Sequence, residues 1–104
     1  MALQGSITLG NGVTIPNAYL IVNEIYHSYH VDDTYIIIHI LIYNDISSFS
    51  LGKPEVLSLS FKCVGSDYTT FFDESVLDDS GKTSLNQSYA WLKTLTQYSA
   101  WSEI

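Results

Sequence analysis

No arginine occurs in this chain, and only four lysines (Lys53, Lys62, Lys82, Lys93) stand against eleven acids, giving a formal net charge of −7. Phosphate contacts need clustered Lys and Arg, so nucleic acid is not an expected partner. Anionic membrane surfaces are disfavoured for the same reason. The missing arginine also removes the planar fork that clamps carboxylate and phosphate substrates. Charge of either sign is scarce, at 14% of residues, against roughly 25% in an average globular chain. Cys63 is the single cysteine, so no internal disulfide can form. Small secreted domains usually carry a disulfide framework, and its absence favours assembly in a reducing cytoplasm. The Met1–Ser6 segment has neither the basic nor the apolar region of a signal peptide. The longest apolar run, Tyr35 to Tyr43 broken by His39, reaches about half the length of a membrane-spanning helix. A soluble protein is expected.

What the chain does have is apolar and aromatic surface. Its 104 residues, 46% hydrophobic, suit one domain spanning 1–104 with a packed core. Ser6-Ile7-Thr8-Leu9 alternates, then Gly10-Asn11-Gly12 leads into Val13-Thr14-Ile15, a hairpin signal because the turn residues must tolerate positive φ. Pro16 lacks a backbone donor and marks an edge, a bulge or a bend. Ala18 to Tyr29 is β-branched and aromatic without a helical stripe, and reads as a long strand. Val31-Asp32-Asp33-Thr34 reads as the turn before Tyr35–Tyr43. In that segment the even positions Ile36, Ile38, Ile40 and Ile42 form the core face, while the odd positions Tyr35, Ile37, His39, Leu41 and Tyr43 form a half-covered face, screened by the helix or a neighbouring chain.

Asn44 to Pro54 reads as loop. Val56 to Val64 alternates with one wet face, and Tyr68 to Phe72 reads as a short last strand. Asp73 to Lys82 reads as an acidic loop. The helix signal lies at about 85–97, with Ser84 as cap and Gln87 completing a capping box, followed by a short tail carrying Trp101. The expected class is mainly β (α+β): an antiparallel sheet or small sandwich of about five strands with one C-terminal helix packed on it.

Catalytic and metal-binding patterns are not found. His27 and His30 are an odd number of residues apart on one strand, so they point to opposite faces and cannot share a metal. His39 lies across the hairpin in a register ambiguous by one residue. All three rings are expected to pack across strands with Tyr26, Tyr29 and Tyr35. The pairs Asp32-Asp33, Asp73-Glu74 and Asp78-Asp79 read as solvated turn formers, and loop 73–81 lacks calcium-loop spacing. Cys63 falls in phase with Leu57, Leu59 and Phe61 and reads as a buried small hydrophobe. No Gly-x-Ser-x-Gly, phosphate loop or dinucleotide fingerprint is present. The expectation is a non-enzyme with no cofactor and no metal.

Eight tyrosines and two tryptophans exceed what one small core hides, and such residues dominate interface hot spots. Tyr26, Tyr29, Tyr35, Tyr43, Trp91, Tyr98 and Trp101 are therefore the interface candidates. Trp101 either folds back onto its own sheet or inserts into an adjacent subunit.

Two stretches carry a family resemblance: Asn11-Gly12-Val13-Thr14-Ile15-Pro16-Asn17-Ala18-Tyr19, and Tyr89-Ala90-Trp91-Leu92-Lys93-Thr94-Leu95-Thr96-Gln97-Tyr98. Together they resemble small tail- and baseplate-associated structural proteins of tailed bacteriophages. Where such relatives often have Pro after Thr-Leu, this chain has Thr96, so a longer helix is expected. The resemblance implies a virion structural protein, present in several copies or as a homo-oligomer and bound to other virion proteins. A capsid cement or decoration protein on the head is the nearest alternative. From another class, a carbohydrate-binding module stacking sugars on Tyr26, Tyr29, Tyr35 or Trp101 is the competing expectation.

Overall fold

The computed structural model describes residues 2–30, 33–77 and 82–104. In chain order the elements are β1 (Leu3–Thr8), β2 (Thr14–His30), β3 (Asp33–Tyr43), α1 (Ile46–Ser50), β4 (Leu57–Cys63), α2 (Gly65–Phe72), α3 (Glu74–Leu77), α4 (Ser84–Leu92) and β5 (Ser102–Glu103). The strands form one open antiparallel sheet in the order β4-β3-β2-β1-β5.

Alternation sets the sheet's two faces. Ile36, Ile38, Ile40 and Ile42 are all fully buried, each contributing about 1.5–3 kcal/mol by burial. On β4, Leu57, Leu59, Phe61 and Cys63 continue that face, while Ser58, Ser60 and Lys62 are exposed. β2 departs from strict alternation twice, and both departures are bulges. Between Gly5↔Ala18 and Ile7↔Ile15, Pro16 and Asn17 together oppose Ser6. Ile15 and Ala18, an odd number apart, consequently both reach the core. Proline is tolerated there because a bulge leaves a ladder donor unneeded. A second shift at Asn23, between Val22↔Ile40 and Glu24↔His39, does the same for Val22 and Ile25. The β1–β2 turn closes through Leu9 N–H to Val13 O at 2.8 Å, with Gly12 at φ 87 supplying the left-handed turn residue.

α2 and α4 cover the isoleucine face. Tyr68 and Phe72, one helical turn apart, are buried on α2, and Tyr89 and Leu92 on α4. The Gln87 amide donates to Phe71 O at 3.0 Å and ties the two helices together. The Tyr89 hydroxyl accepts from Val22 N–H at 2.8 Å. β1 pairs with β2 only as far as Leu20, so α4 supplies the acceptor that β1 does not reach.

Several expectations are corrected. Tyr68–Phe72 is helix, not strand: its β-forming residues are overridden by the burial of Tyr68 and Phe72 on one helical stripe. The fifth strand is instead Ser102–Glu103, which pairs with β1. The Asn44–Pro54 loop contains α1, capped by the Asp45 carboxylate, which accepts from Ser48 N–H at 2.7 Å. Part of the acidic loop is α3, and residues 78–81 lie outside the described residues. The turn centre at 31–32 also lies outside them, while Asp33 and Thr34 already belong to β3, paired with His30 and Tyr29.

The C-terminal helix starts one residue earlier than expected and ends five residues sooner. Its cap is Thr83, whose Oγ1 accepts from Asn86 N–H at 3.2 Å while Asn86 Oδ1 accepts from Thr83 N–H at 2.9 Å. At the other end Thr94 donates its hydroxyl to Trp91 O at 2.6 Å, competing with the helical ladder. Three-residue turns follow, closed by Leu95, Tyr98 and Trp101 N–H groups donating to Leu92, Leu95 and Tyr98 carbonyls.

Candidate interaction surfaces

Cross-strand neighbours on one face of a sheet touch, so register decides which candidates meet. Opposite the isoleucine face lies a second face carrying Tyr19↔Tyr43, Ile21↔Leu41, Tyr26↔Ile37 and Ser28↔Tyr35. Ile21, Ile37 and Leu41 are half-buried and take no part in the hydrophobic core. Only α1 packs over this face among the described helices, setting Phe49 against the Tyr19 and Tyr43 rings at 5.0 and 5.1 Å between centroids. The rest is open. Tyr26 is 60% exposed, and its ring leans on Tyr35 with centroids 6.3 Å apart. Lys62 Nζ sits 4.2 Å from the centre of the Tyr35 ring, a cation–π contact that orients both side chains.

The interface candidates thus divide. Tyr26, Tyr35 and Tyr43 share the open face. The Tyr29 side chain lies outside the described residues. Trp91, Tyr98 and Trp101 are buried, and the expectation that they form contact surface is corrected. Trp101 folds back: its indole lies on Gly5, where any added Cβ would sit 2.5 Å from the ring. Ala18, opposite Gly5 in β2, keeps the site shallow. Tyr98 stands edge-on to both Trp101 and Phe61, at 5.2 and 5.9 Å, and Trp91 Nε1 donates to Asp67 Oδ2 at 3.3 Å.

The expected screening of the odd face of β3 by the C-terminal helix is likewise corrected, because α4 lies on the even face. Tyr19 and Phe49 join the open face although sequence reasoning missed them. Tyr19 falls in phase with Ile21, a usable signal, whereas Phe49 needed α1 to be recognised.

The His30 side chain lies outside the described residues, and His27 and His39 do not converge. His27 faces the helices, hydrogen-bonded to the Tyr68 hydroxyl and stacked edge-on against its ring. His39 is on the open face, donating from Nε2 to Ser58 Oγ at 2.7 Å while the Asn23 amide donates to Nδ1 at 3.5 Å. Neither packs on Tyr26 or Tyr35 as expected, because α2 brings Tyr68 over His27 and the bulge places Asn23 beside His39. Among the described residues no group of three or more His, Cys, Asp or Glu side chains is placed to hold a metal ion.

Burial and hydrogen bonding set the electrostatic shifts. Cys63 is fully buried and its thiol is pushed up to about 12, first by desolvation and then by the nearby Asp67 charge. Burial also raises the Tyr89 and Tyr98 hydroxyls. The Asp45 carboxyl is lowered by its hydrogen bonds to Ser48. No helix among the described residues is long and apolar enough to cross a membrane.

What this geometry offers is contact area: an aromatic and aliphatic sheet face, bordered by Ser58 and Ser60, beside an outer strand that among the described residues pairs on one side. Compared with protein-family models, curated proteins and solved structures, the chain matches none of them.

Proposed function

We propose that this chain is a non-enzymatic structural protein of a tailed-phage virion, a tail or baseplate component that works by binding neighbouring proteins. The observation that carries the reading is the open face, where Tyr26, Tyr35, Ile37 and Leu41 stand together on rigid strands rather than on loops. Half-exposed aromatics on a preorganised sheet lose little side-chain entropy on docking and bury large areas. The net charge of −7 and the absence of arginine fit protein neighbours better than nucleic acid. The motif resemblance supplies the phage context. A place on the head as a cement protein uses the same surface and differs only in the neighbour.

The test is mass spectrometry of purified particles separated into heads and tails. The chain is expected in fixed proportion in the tail fraction; presence only in heads selects the cement role, and absence from particles overturns the proposal. Tyr26→Ser paired with Tyr35→Ser is expected to abolish incorporation while leaving the chain folded.

A carbohydrate-binding module is the second reading, favoured by the adjoining Tyr26 and Tyr35 rings. Trp101 cannot contribute, since it is buried. Chemical-shift changes at Tyr26 and Tyr35 on titration with glycans test it; both tryptophans are buried, so their fluorescence is a poor reporter.

A further inference from the structure

The two edges of the sheet differ in a way that selects a partner. β5 is a two-residue strand ending beside Glu103 and is too short to recruit another chain. β4 is seven residues long, and among the described residues only β3 pairs with it. Its outer side therefore presents unpaired backbone donors and acceptors, and a β-strand is the group that satisfies them. Usual edge guards are lacking. Residues 56–64 hold no proline and no acid, and the β3–β4 pairing carries no bulge. The one charge, Lys62, is drawn back over Tyr35 on β3, away from the rim. Both ends of the strand leave apolar groups in water, with Val56 40% and Val64 49% exposed.

We propose that the outer edge of β4 pairs with the same edge of a second copy of this chain, antiparallel about a two-fold axis through Ser60. The inference rests on the assembly reading above and names its surface and partner. The residue order is compatible with self-pairing. About Ser60, Val56 meets Val64 of the second copy, Leu57 meets Cys63, Ser58 meets Lys62, and Leu59 meets Phe61. Every core-face residue then opposes a core-face residue, and no charge opposes its like. Two copies of a chain with net charge −7 repel over most of their surfaces. Residues 56–66 carry one lysine and no acid, so here two copies can approach with least repulsion. A two-fold axis perpendicular to the sheet leaves both helical layers on one side and both open faces on the other, merging the latter into one contact surface.

Ser60→Cys tests the register in the full chain. Residues at the centre of an antiparallel pair have Cα atoms about 4.5–5.5 Å apart, within disulfide reach. Mild oxidation is expected to give a covalent dimer for Ser60→Cys and none for Ser99→Cys, another exposed serine outside the strand. Native Cys63 is buried and does not compete. Sedimentation of the unmodified chain from micromolar to near-millimolar concentration is expected to show a monomer–dimer equilibrium. Ser60→Glu and Ser60→Lys, which each place like charges opposite one another, are both expected to weaken it by about fivefold or more, with unchanged circular dichroism.

A monomer throughout, a dimer indifferent to both charge signs, or cross-linking of Ser60→Cys to a different polypeptide in particles overturns the self-pairing. A chain found in particles yet monomeric when free overturns this inference and leaves the virion role standing. A Ser60-centred dimer absent from particles does the reverse.

Discussion

Ile36 and Ile37 are neighbours in β3 with the same side chain, yet they lie in different environments. Ile36 is fully buried beneath the helices, whereas Ile37 stands half-buried beside Tyr26 on the other side of the sheet. A pleated strand sends successive side chains to opposite faces, so the contrast reflects what each face has been given as cover. Among the described residues, one face carries α2, α4 and the Trp101 turn, and the other carries the short α1 at one end. A single-layer sheet needs one covered face for stability. The second face keeps Tyr26, Tyr35, Ile37 and Leu41 in partial contact with water, and this is the surface that the proposed assembly role would use.

The comparison can be broken most severely at Trp101. Truncation to alanine is expected to cost about 3–5 kcal/mol, because the indole fills the space over Gly5 and supports Tyr98. Chemical denaturation measures it. Gly5→Ala, which displaces the same ring, is expected to cost about 1–3 kcal/mol. If both variants unfold as the parent does, Trp101 is not part of the core.

Next is the matched pair in β3. Ile38→Ala is expected to lose about 2–5 kcal/mol, and Ile37→Ala at most about 1 kcal/mol. Equal losses would mean that both faces are covered. Tyr89→Phe is expected to cost about 1–3 kcal/mol, since Val22 N–H then loses its acceptor under α4.

The smallest effect concerns Cys63. In the folded chain its thiol ionises near 12 rather than at the usual 9.0. The unfolded chain therefore loses its proton first, and stability present below about pH 9 declines as pH rises toward 12. Burial raises Tyr89 and Tyr98 in the same direction, reinforcing the alkaline decline. At neutral pH, alkylation of folded Cys63 is expected to be on the order of a hundredfold slower or more than in denaturant. Rapid labelling would show that β4 opens.

Much of the strand framework was readable because its signal is local. The isoleucine alternation in β3, the Leu-Ser-Leu-Ser-Phe run of β4 and the Gly10-Asn11-Gly12 turn each declare themselves within a few residues. Pro16 marked an edge, a bulge or a bend, and the register made it a bulge. The α2 segment misled because Tyr68, Thr69, Thr70, Phe71 and Phe72 are all β-formers; the spacing of Tyr68 and Phe72 was the counter-signal. Ser84 and Gln87 satisfy the capping pattern in sequence, but Thr83 and Asn86, one residue earlier, form the box in the fold. The open-face site was half legible: Tyr26, Tyr35 and Tyr43 were identified, while Tyr19 and Phe49 needed the register and α1.

By itself the amino-acid order determined that the protein is largely β, that one face of β3 is core, and that a buried, unreactive thiol sits at the end of β4. These depend on short-range periodicity and burial chemistry. Tertiary structure alone decided where Trp101 goes, which helices cover which face, and that the chain's last residues pair with β1. Those outcomes depend on contacts between residues tens of positions apart, such as Gly5 with Trp101 and Val22 with Tyr89. Packing and unmet backbone hydrogen bonds, rather than local preference, select them.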